Sequence, residues 1–162
     1  MIEPSAFSTD RLLDEILDWV RIESPTFDAA AVNRMEDTIS ARLAGLGFAI
    51  ERIAGRDGLA DVLVARKAGA SAGPGLMMIA HADTVHPVGT ISGPLPIRRD
   101  GDKCFGPAIY DMKGGTVLAL AALERAMTAK GGALAVPVTI VINPDEEIGS
   151  PTSRGIIEAE AK

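Results

Sequence analysis

Three short segments of the chain concentrate the side chains able to do chemistry: His81-Ala-Asp83-Thr84, Tyr110-Asp111-Met112-Lys113-Gly114-Gly115 and Asn143-Pro144-Asp145-Glu146-Glu147. His81 and Asp83 are two residues apart, so on an extended segment both side chains point the same way. A carboxylate beside a histidine can accept one ring N–H, fix the tautomer and make the other nitrogen a better metal ligand. Asp111 precedes two glycines, where backbone can pass close to whatever the aspartate binds. Glu146 and Glu147 set two carboxylates side by side in one turn. Such a pair repels unless a cation or a proton separates the roles, one group binding metal and the other moving a proton.

Each segment also has an ordinary reading. A His-x-Asp is commonly a surface ion pair or a capped turn, and aspartate before a helix is most often its N-cap. An acidic run after a strand is most often a solvated first helical turn that complements the macrodipole. No spacing rule links His86 with Cys104 as a catalytic pair. Lys113 lies beside two glycines, but Gly-x-x-x-x-Gly-Lys-Ser/Thr is absent, which excludes a phosphate-binding P-loop.

The elements that must position these residues are legible in the hydrophobic pattern. Leu12, Leu13, Ile16, Leu17 and Val20 recur at helical spacing, with Ser8 or Thr9 as cap. A second helix is predicted from about Asp28 to Leu43, with Val32, Met35, Ile39 and Leu43 inward and Gly45 and Gly47 as stop signals. Extended segments follow at Phe48–Ile53, Asp61–Lys67 and Leu76–Ala80. Residues 90–105 read as loops and short strands. A third helix is predicted from after Asp111 to about Ala129, closed by Gly131-Gly132, then a strand buried on both faces at Val136–Ile142, with Pro137 near its start. Pro151–Lys162 reads as a last helix. Helices alternating with buried strands indicate an α/β layered domain, in which the C-terminal ends of strands converge on one crevice. The three chemical segments are therefore expected to meet there.

Composition narrows the class. The 162 residues, 47% hydrophobic, suffice for one core. A net charge of −6 leaves no basic stripe for nucleic acid. No apolar run is long enough to span a bilayer, and the first residues, Met1 to Phe7, carry no basic residue and precede no apolar h-region, so neither membrane nor secretory signal is expected. Cys104 is the only cysteine, which suits a reducing cytoplasm.

Taken together and in order, the motifs resemble the two-zinc metallopeptidase family of glutamate carboxypeptidase, acetylornithine deacetylase and succinyl-diaminopimelate desuccinylase. The resemblance runs through Trp19-Val-Arg-Ile-Glu-Ser-Pro25 and Ile79-Ala-His81-Ala-Asp83-Thr84-Val85. It is firmest at Gly101-Asp-Lys-Cys-Phe-Gly-Pro-Ala-Ile-Tyr-Asp111-Met-Lys-Gly-Gly115 and Asn143-Pro-Asp-Glu146-Glu147-Ile-Gly149-Ser150. The tail, Ser153-Arg-Gly-Ile-Ile-Glu-Ala-Glu-Ala-Lys162, is most similar to the glutamate carboxypeptidase branch.

The resemblance implies a layered zinc-peptidase-like catalytic domain, a central mostly parallel or mixed sheet with helices on both faces. Residues 1–162 would be its N-terminal portion, without the lid and dimerisation domain or the C-terminal part. His81 would ligate one zinc, oriented by Asp83. Asp111 would bridge both zincs, with a cis peptide bond after it, and Glu147 would ligate the other. Glu146 would be the general base acting on a bridging hydroxide. Cobalt or manganese could replace zinc. The reaction implied is hydrolysis of an amide bond in a small peptide or N-acyl amino acid, by a parent that forms a homodimer. Two further ligands, an acidic residue and a histidine, would lie beyond residue 162, so the chain alone is expected to be inactive. Deacylation of an N-acetyl or N-succinyl amino acid is one alternative, and a short non-catalytic module that keeps the fold is another. Ala108 stands where many relatives have glycine, a departure that matters if its φ is positive.

Overall fold

A computed structural model describes residues 7–162. The expectation that no secretory signal opens the chain rests on residues 1–6 and lies outside that range. The first helix, α1 (Thr9–Val20), starts where the side chain of Ser8 accepts a hydrogen bond from the Arg11 amide at 3.3 Å. The second, α2 (Ala29–Gly45), is capped by Asp28, whose carboxylate accepts from the Ala31 amide at 2.9 Å. Its inward stripe is Val32, Met35, Ile39 and Leu43, as the 3.6-residue period predicts. Strands β1 (Ala49–Ile53), β2 (Val62–Lys67) and β3 (Leu76–His81) follow, then a small hairpin of β4 (Arg98–Asp100) and β5 (Lys103–Phe105). The chain continues through α3 (Gly114–Thr128), β6 (Val138–Asn143) and α4 (Arg154–Glu160).

The main sheet has the order β1-β2-β6-β3 and is mixed: β6 runs parallel to β3 and antiparallel to β2. The nearly unbroken apolar strand thus occupies the interior of the sheet. The alternation of side chains across a strand then sorts the core into two layers. Leu63, Ala65, Ala80, Ile140 and Ile142 pack with α1, α2 and α3, whereas Val62, Val64 and Val141 face Ile156 and Ile157 of α4. The fold is the predicted layered α/β domain with helices on both faces. Most elements begin or end one to three residues from the predicted bounds, and two of these shifts have a local cause. Strand β6 begins at Val138, because Pro137 has no N–H to give a ladder and contributes only its carbonyl, which accepts from Leu76 N at 2.9 Å. Helix α4 is shorter than Pro151–Lys162, since 151–153 form a turn. No helix among the described residues is long and apolar enough to cross a membrane.

The chain enters α3 through an irregular turn, Ile109–Lys113, in which Asp111 (φ −122°, ψ 98°) and Met112 (φ −133°, ψ 23°) leave helical geometry, and the Asp111–Met112 peptide is cis. Ala108, just before it, has φ 55°, the left-handed conformation that glycine tolerates best. Gly114 is required by the same turn: a Cβ there would stand 2.4 Å from the carbonyl oxygen of Ile109. Gly115 is exposed and meets only the Met112 methyl at 3.9 Å. Gly114→Ala should therefore cost about 2 kcal/mol or more in a denaturant titration. Gly115→Ala should be neutral or stabilising by up to about 1 kcal/mol, because alanine favours the helix.

Glu36 lies on the inward side of α2 and is fully buried, a position that the polar residue type did not mark. One carboxylate oxygen is 3.1 Å from the Arg52 guanidinium, and the other has no hydrogen-bond partner. Burial pushes its pKa from 4.5 up to about 8, with Arg52 opposing. The folded chain thus holds a proton that the unfolded chain releases above about pH 4.5. The stability this gives is complete below pH 4.5 and is lost as pH rises through about 8. Glu36→Gln should flatten the fall in unfolding free energy between pH 5 and 8, by on the order of 3 kcal/mol, in urea titrations at both pH values.

Candidate metal centre

Parallel pairing of β3 with β6 brings His81 and Asn143, the last residues of the two strands, into register. The pairing continues one step further as Ala82 N donates to Asn143 O at 2.9 Å. On the other side of residues 82–84 runs the segment that follows α1. Thr84 N donates to Ser24 O (2.9 Å), Thr26 N to Thr84 O (3.2 Å) and Ser24 Oγ to Ala82 O (2.7 Å). Asp83 is thereby held in a fully buried position, 1% exposed. Its Oδ2 accepts from Thr26 Oγ1 (2.8 Å) and Glu147 N (3.2 Å), and its Oδ1 accepts from Glu146 N (3.2 Å).

The same carboxylate faces His81. Nδ1 of that ring is 3.3 Å from Asp83 Oδ1 and 3.0 Å from the Asp83 main-chain oxygen. Nε2 points the other way, 2.9 Å from Asp111 Oδ1 and 3.9 Å from Glu146 Oε2. One ligand atom each from His81, Asp111 and Glu147 lies within 4.8 Å of the others. His81 is buried, Glu147 half-buried and Asp111 exposed, so the cluster opens to solvent on the aspartate side.

Charge in this cluster is unbalanced. Burial works against protonation of His81, but Asp83 and Asp111 outweigh it and raise the imidazole from 6.5 to about 9. Burial also pushes the Glu147 carboxyl up, and Asp111, Asp83 and Glu146 add to the rise against the pull of His81. Four carboxylates gathered around one imidazole are short of positive charge. An imidazole nitrogen directed by a carboxylate behind it, with two carboxylates alongside, is a donor set that suits a divalent cation such as zinc, cobalt or manganese. The residues fit a metal.

All five side chains singled out in the sequence, His81, Asp83, Asp111, Glu146 and Glu147, converge here. Asp111 is not a helix N-cap: that position is Lys113, whose side chain makes no capping bond. Residues Glu146–Ile148 form a 3₁₀ turn whose leading amides are spent on Asp83, so the acidic pair does not open an α-helix. Of the two glycines after Asp111, Gly114 serves the turn, because a Cβ there would meet the Ile109 carbonyl oxygen at 2.4 Å, while Gly115 is open. His86 and Cys104 do not form a pair: His86 lines a hollow of about 190 Å³ beside Asp111 and Glu147, while Cys104 lies on β5 in the hairpin.

Sequence reasoning missed three residues. Thr26 holds Asp83. Asp145, fully buried, accepts from Thr152 N (2.7 Å), Thr152 Oγ1 (2.8 Å) and Ser153 Oγ, tying the acidic turn to the start of α4. Lys113, excluded as a phosphate ligand, is buried, and burial lowers its pKa to about 8 against the pull of Glu23. For Thr26 the only sequence signal is a small hydroxyl residue 57 positions from its partner, which no local rule detects, whereas Asp145 has hydroxyl partners seven and eight residues on, in a turn that no periodicity marks.

Residues 77–162, more than half of the chain, match the profile of "Peptidase family M20/M25/M40". Carboxypeptidase G2 of Pseudomonas sp. (strain RS-16) is 34% identical over 143 residues, covering 88% of this chain and 34% of that protein. Human carnosine dipeptidase 1 superposes with a TM-score of 0.78 at 21% identity, over 93% of this chain and 35% of the other. The M20 family metallo-carboxypeptidase Sso-CP2 of Sulfolobus solfataricus gives 0.74 at 21% identity, over 93% and 34%. At these identities the two structures speak to the fold alone, and the chain spans about a third of the length of each relative. The family match covers β3, the Asp111 turn and the acidic turn together, and the chain belongs to peptidase family M20/M25/M40, whose hydrolases include metallo-carboxypeptidases.

Proposed function

We propose that this chain is the N-terminal portion of the catalytic domain of a metal-dependent amidohydrolase that cleaves an amide bond in a small peptide or N-acyl amino acid, in the manner of a carboxypeptidase. The observation that carries the reading is the convergence of His81, Asp111 and Glu147 within 4.8 Å, on the mouth of a parallel strand pair, with Glu146 beside them. His81 Nε2 and the carboxylates of Asp111 and Glu147 would hold the metal, zinc in this reading, with Asp111 as the ligand shared in a two-ion site that residues outside this chain would complete. When bound, the metal acts as a Lewis acid on the scissile carbonyl and lowers the pKa of water from about 15.7 to about 7.

The chain's own residues supply the rest. Asp83 holds Nδ1 of His81, so the ring presents Nε2 to the cluster. Through the amides of Glu146 and Glu147 the same carboxylate sets both glutamates at the rim. Glu146 is outside the three-residue cluster and half exposed, with Oε2 3.9 Å from His81 Nε2. It is therefore the carboxylate free to take a proton from the attacking water and pass it to the leaving amine. The full-length protein is a homodimer in this reading. A cytoplasmic setting accords with a chain whose only cysteine, Cys104, cannot form an internal disulfide.

In the full-length protein, Glu146→Gln should lower kcat by at least 10³-fold on an order-of-magnitude scale while metal content by atomic absorption stays at the parental level. Normal turnover in that variant would remove the base assignment. Asp83→Ala strands two amide N–H groups and the His81 ring. It should cost about 3 kcal/mol in a urea titration and weaken zinc binding by roughly 10–100-fold in calorimetric titration.

A further inference from the structure

Lys113 is 3% exposed, and no other lysine or arginine among the described residues is buried. Its Nζ donates to the main-chain oxygen of Ile22, just past the end of α1. An ammonium inside a fold loses its hydration, and one carbonyl partner, with the Glu23 carboxylate acting only through its charge, is a poor replacement. An apolar side chain of the same length would fill the space without that cost, so stability alone does not account for a lysine here.

Its place in the fold does. Lys113 closes the irregular turn that carries Asp111, and Asp111 is 65% exposed, with His81 as its hydrogen-bonding partner. The turn is held by Lys113 N on Ala108 O (3.0 Å), by the contact of His81 N with Met112 Sδ (3.4 Å) and by the Lys113 side chain. The last of these reaches the segment 22–26, the same one that holds Asp83 through Thr26 and residues 82–84 through Ser24. Both sides of the cluster, the His81–Asp83 side and the Asp111 side, are thus pinned to one short stretch of backbone.

We infer that Lys113 is a positioning residue for the metal centre: its bond to Ile22 locks the Asp111 turn onto the segment that holds Asp83, so that Asp111 is already placed against His81 before a cation arrives. This rests on the metal-binding reading above. The test uses the full chain, Co²⁺ as probe, and two variants. Lys113→Met keeps the volume and loses the charge and donors, whereas Lys113→Arg keeps both. The expected result is a Lys113→Met chain with parental circular dichroism and a Co²⁺ affinity roughly tenfold weaker, restored to within about threefold by arginine. In an Asp111→Asn background Lys113→Met should add no further loss, since the group it places is gone.

Parental affinity in Lys113→Met, an equal loss in both backgrounds, or a variant that does not fold would each overturn the inference, the last because the residue would then hold the fold and not the site. A parent chain that takes up no Co²⁺ would instead sink the metal reading. Amide hydrogen exchange on the metal-free chain still decides the positioning claim in that case. Lys113→Met should speed exchange about tenfold or more across residues 109–116 while β6 stays protected, and unchanged exchange there would end it.

Discussion

A buried carboxylate with too few positive neighbours must be surrounded by hydrogen-bond donors, and Asp83 imposes that requirement on everything near it. The donors it gathers come from parts of the chain far apart in sequence: the hydroxyl of Thr26, the amides of Glu146 and Glu147, and the imidazole of His81 facing it at 3.3 Å. Leaving any of these unmade would strand a charge or a polar group in a dry place, at a cost of a few kcal/mol each. The end of β3, the turn after β6 and the segment after α1 therefore have one mutual arrangement that satisfies Asp83. That arrangement puts the His81 Nε2 atom among carboxylates.

The acidic turn shows the same device used twice. Asp145 is buried and collects an amide and two hydroxyls from Thr152 and Ser153, while its neighbours Glu146 and Glu147 stay at the rim with free carboxylates. Three consecutive acidic residues thus divide into one that holds the loop and two that face the cleft. The division is set by burial. The aspartate surrenders its hydration to local donors, whereas Glu146 stays half exposed and Glu147 is only partly buried. The opposite balance holds for Glu36, where burial outweighs a single arginine and favours the neutral acid.

The segment 22–26 has little regular structure, yet it joins the two sides of the His81–Asp111–Glu147 cluster. Its carbonyls and hydroxyls reach Lys113, residues 82–84 and Asp83, and the Glu23 carboxylate accepts from the amides of Gly89 (2.7 Å) and Ile91 (3.0 Å) in the loop beyond the cleft. A stretch that would be described as a connection between two helices is, by its bonds, the frame of the site.

Local periodicity was sufficient to place the helices α1, α2 and α3, the core stripe Val32–Met35–Ile39–Leu43 and the buried character of β6, because each depends on apolar spacing within a few turns of chain. The order of the chemical motifs was likewise enough to indicate the family and to single out His81, Asp83, Asp111, Glu146 and Glu147. What the sequence left undecided was decided by contacts between distant residues. The mixed order β1-β2-β6-β3, the burial of Glu36, the assignment of Asp145 to structure and of its neighbours to the rim, and the anchoring of Lys113 on Ile22 all depend on partners 16 to 91 residues away or on a loop shape that such partners fix. Residue type and local spacing determine what a side chain can do. Which of those things it does is settled by whether water or another part of the chain satisfies it, and only the tertiary structure decides that.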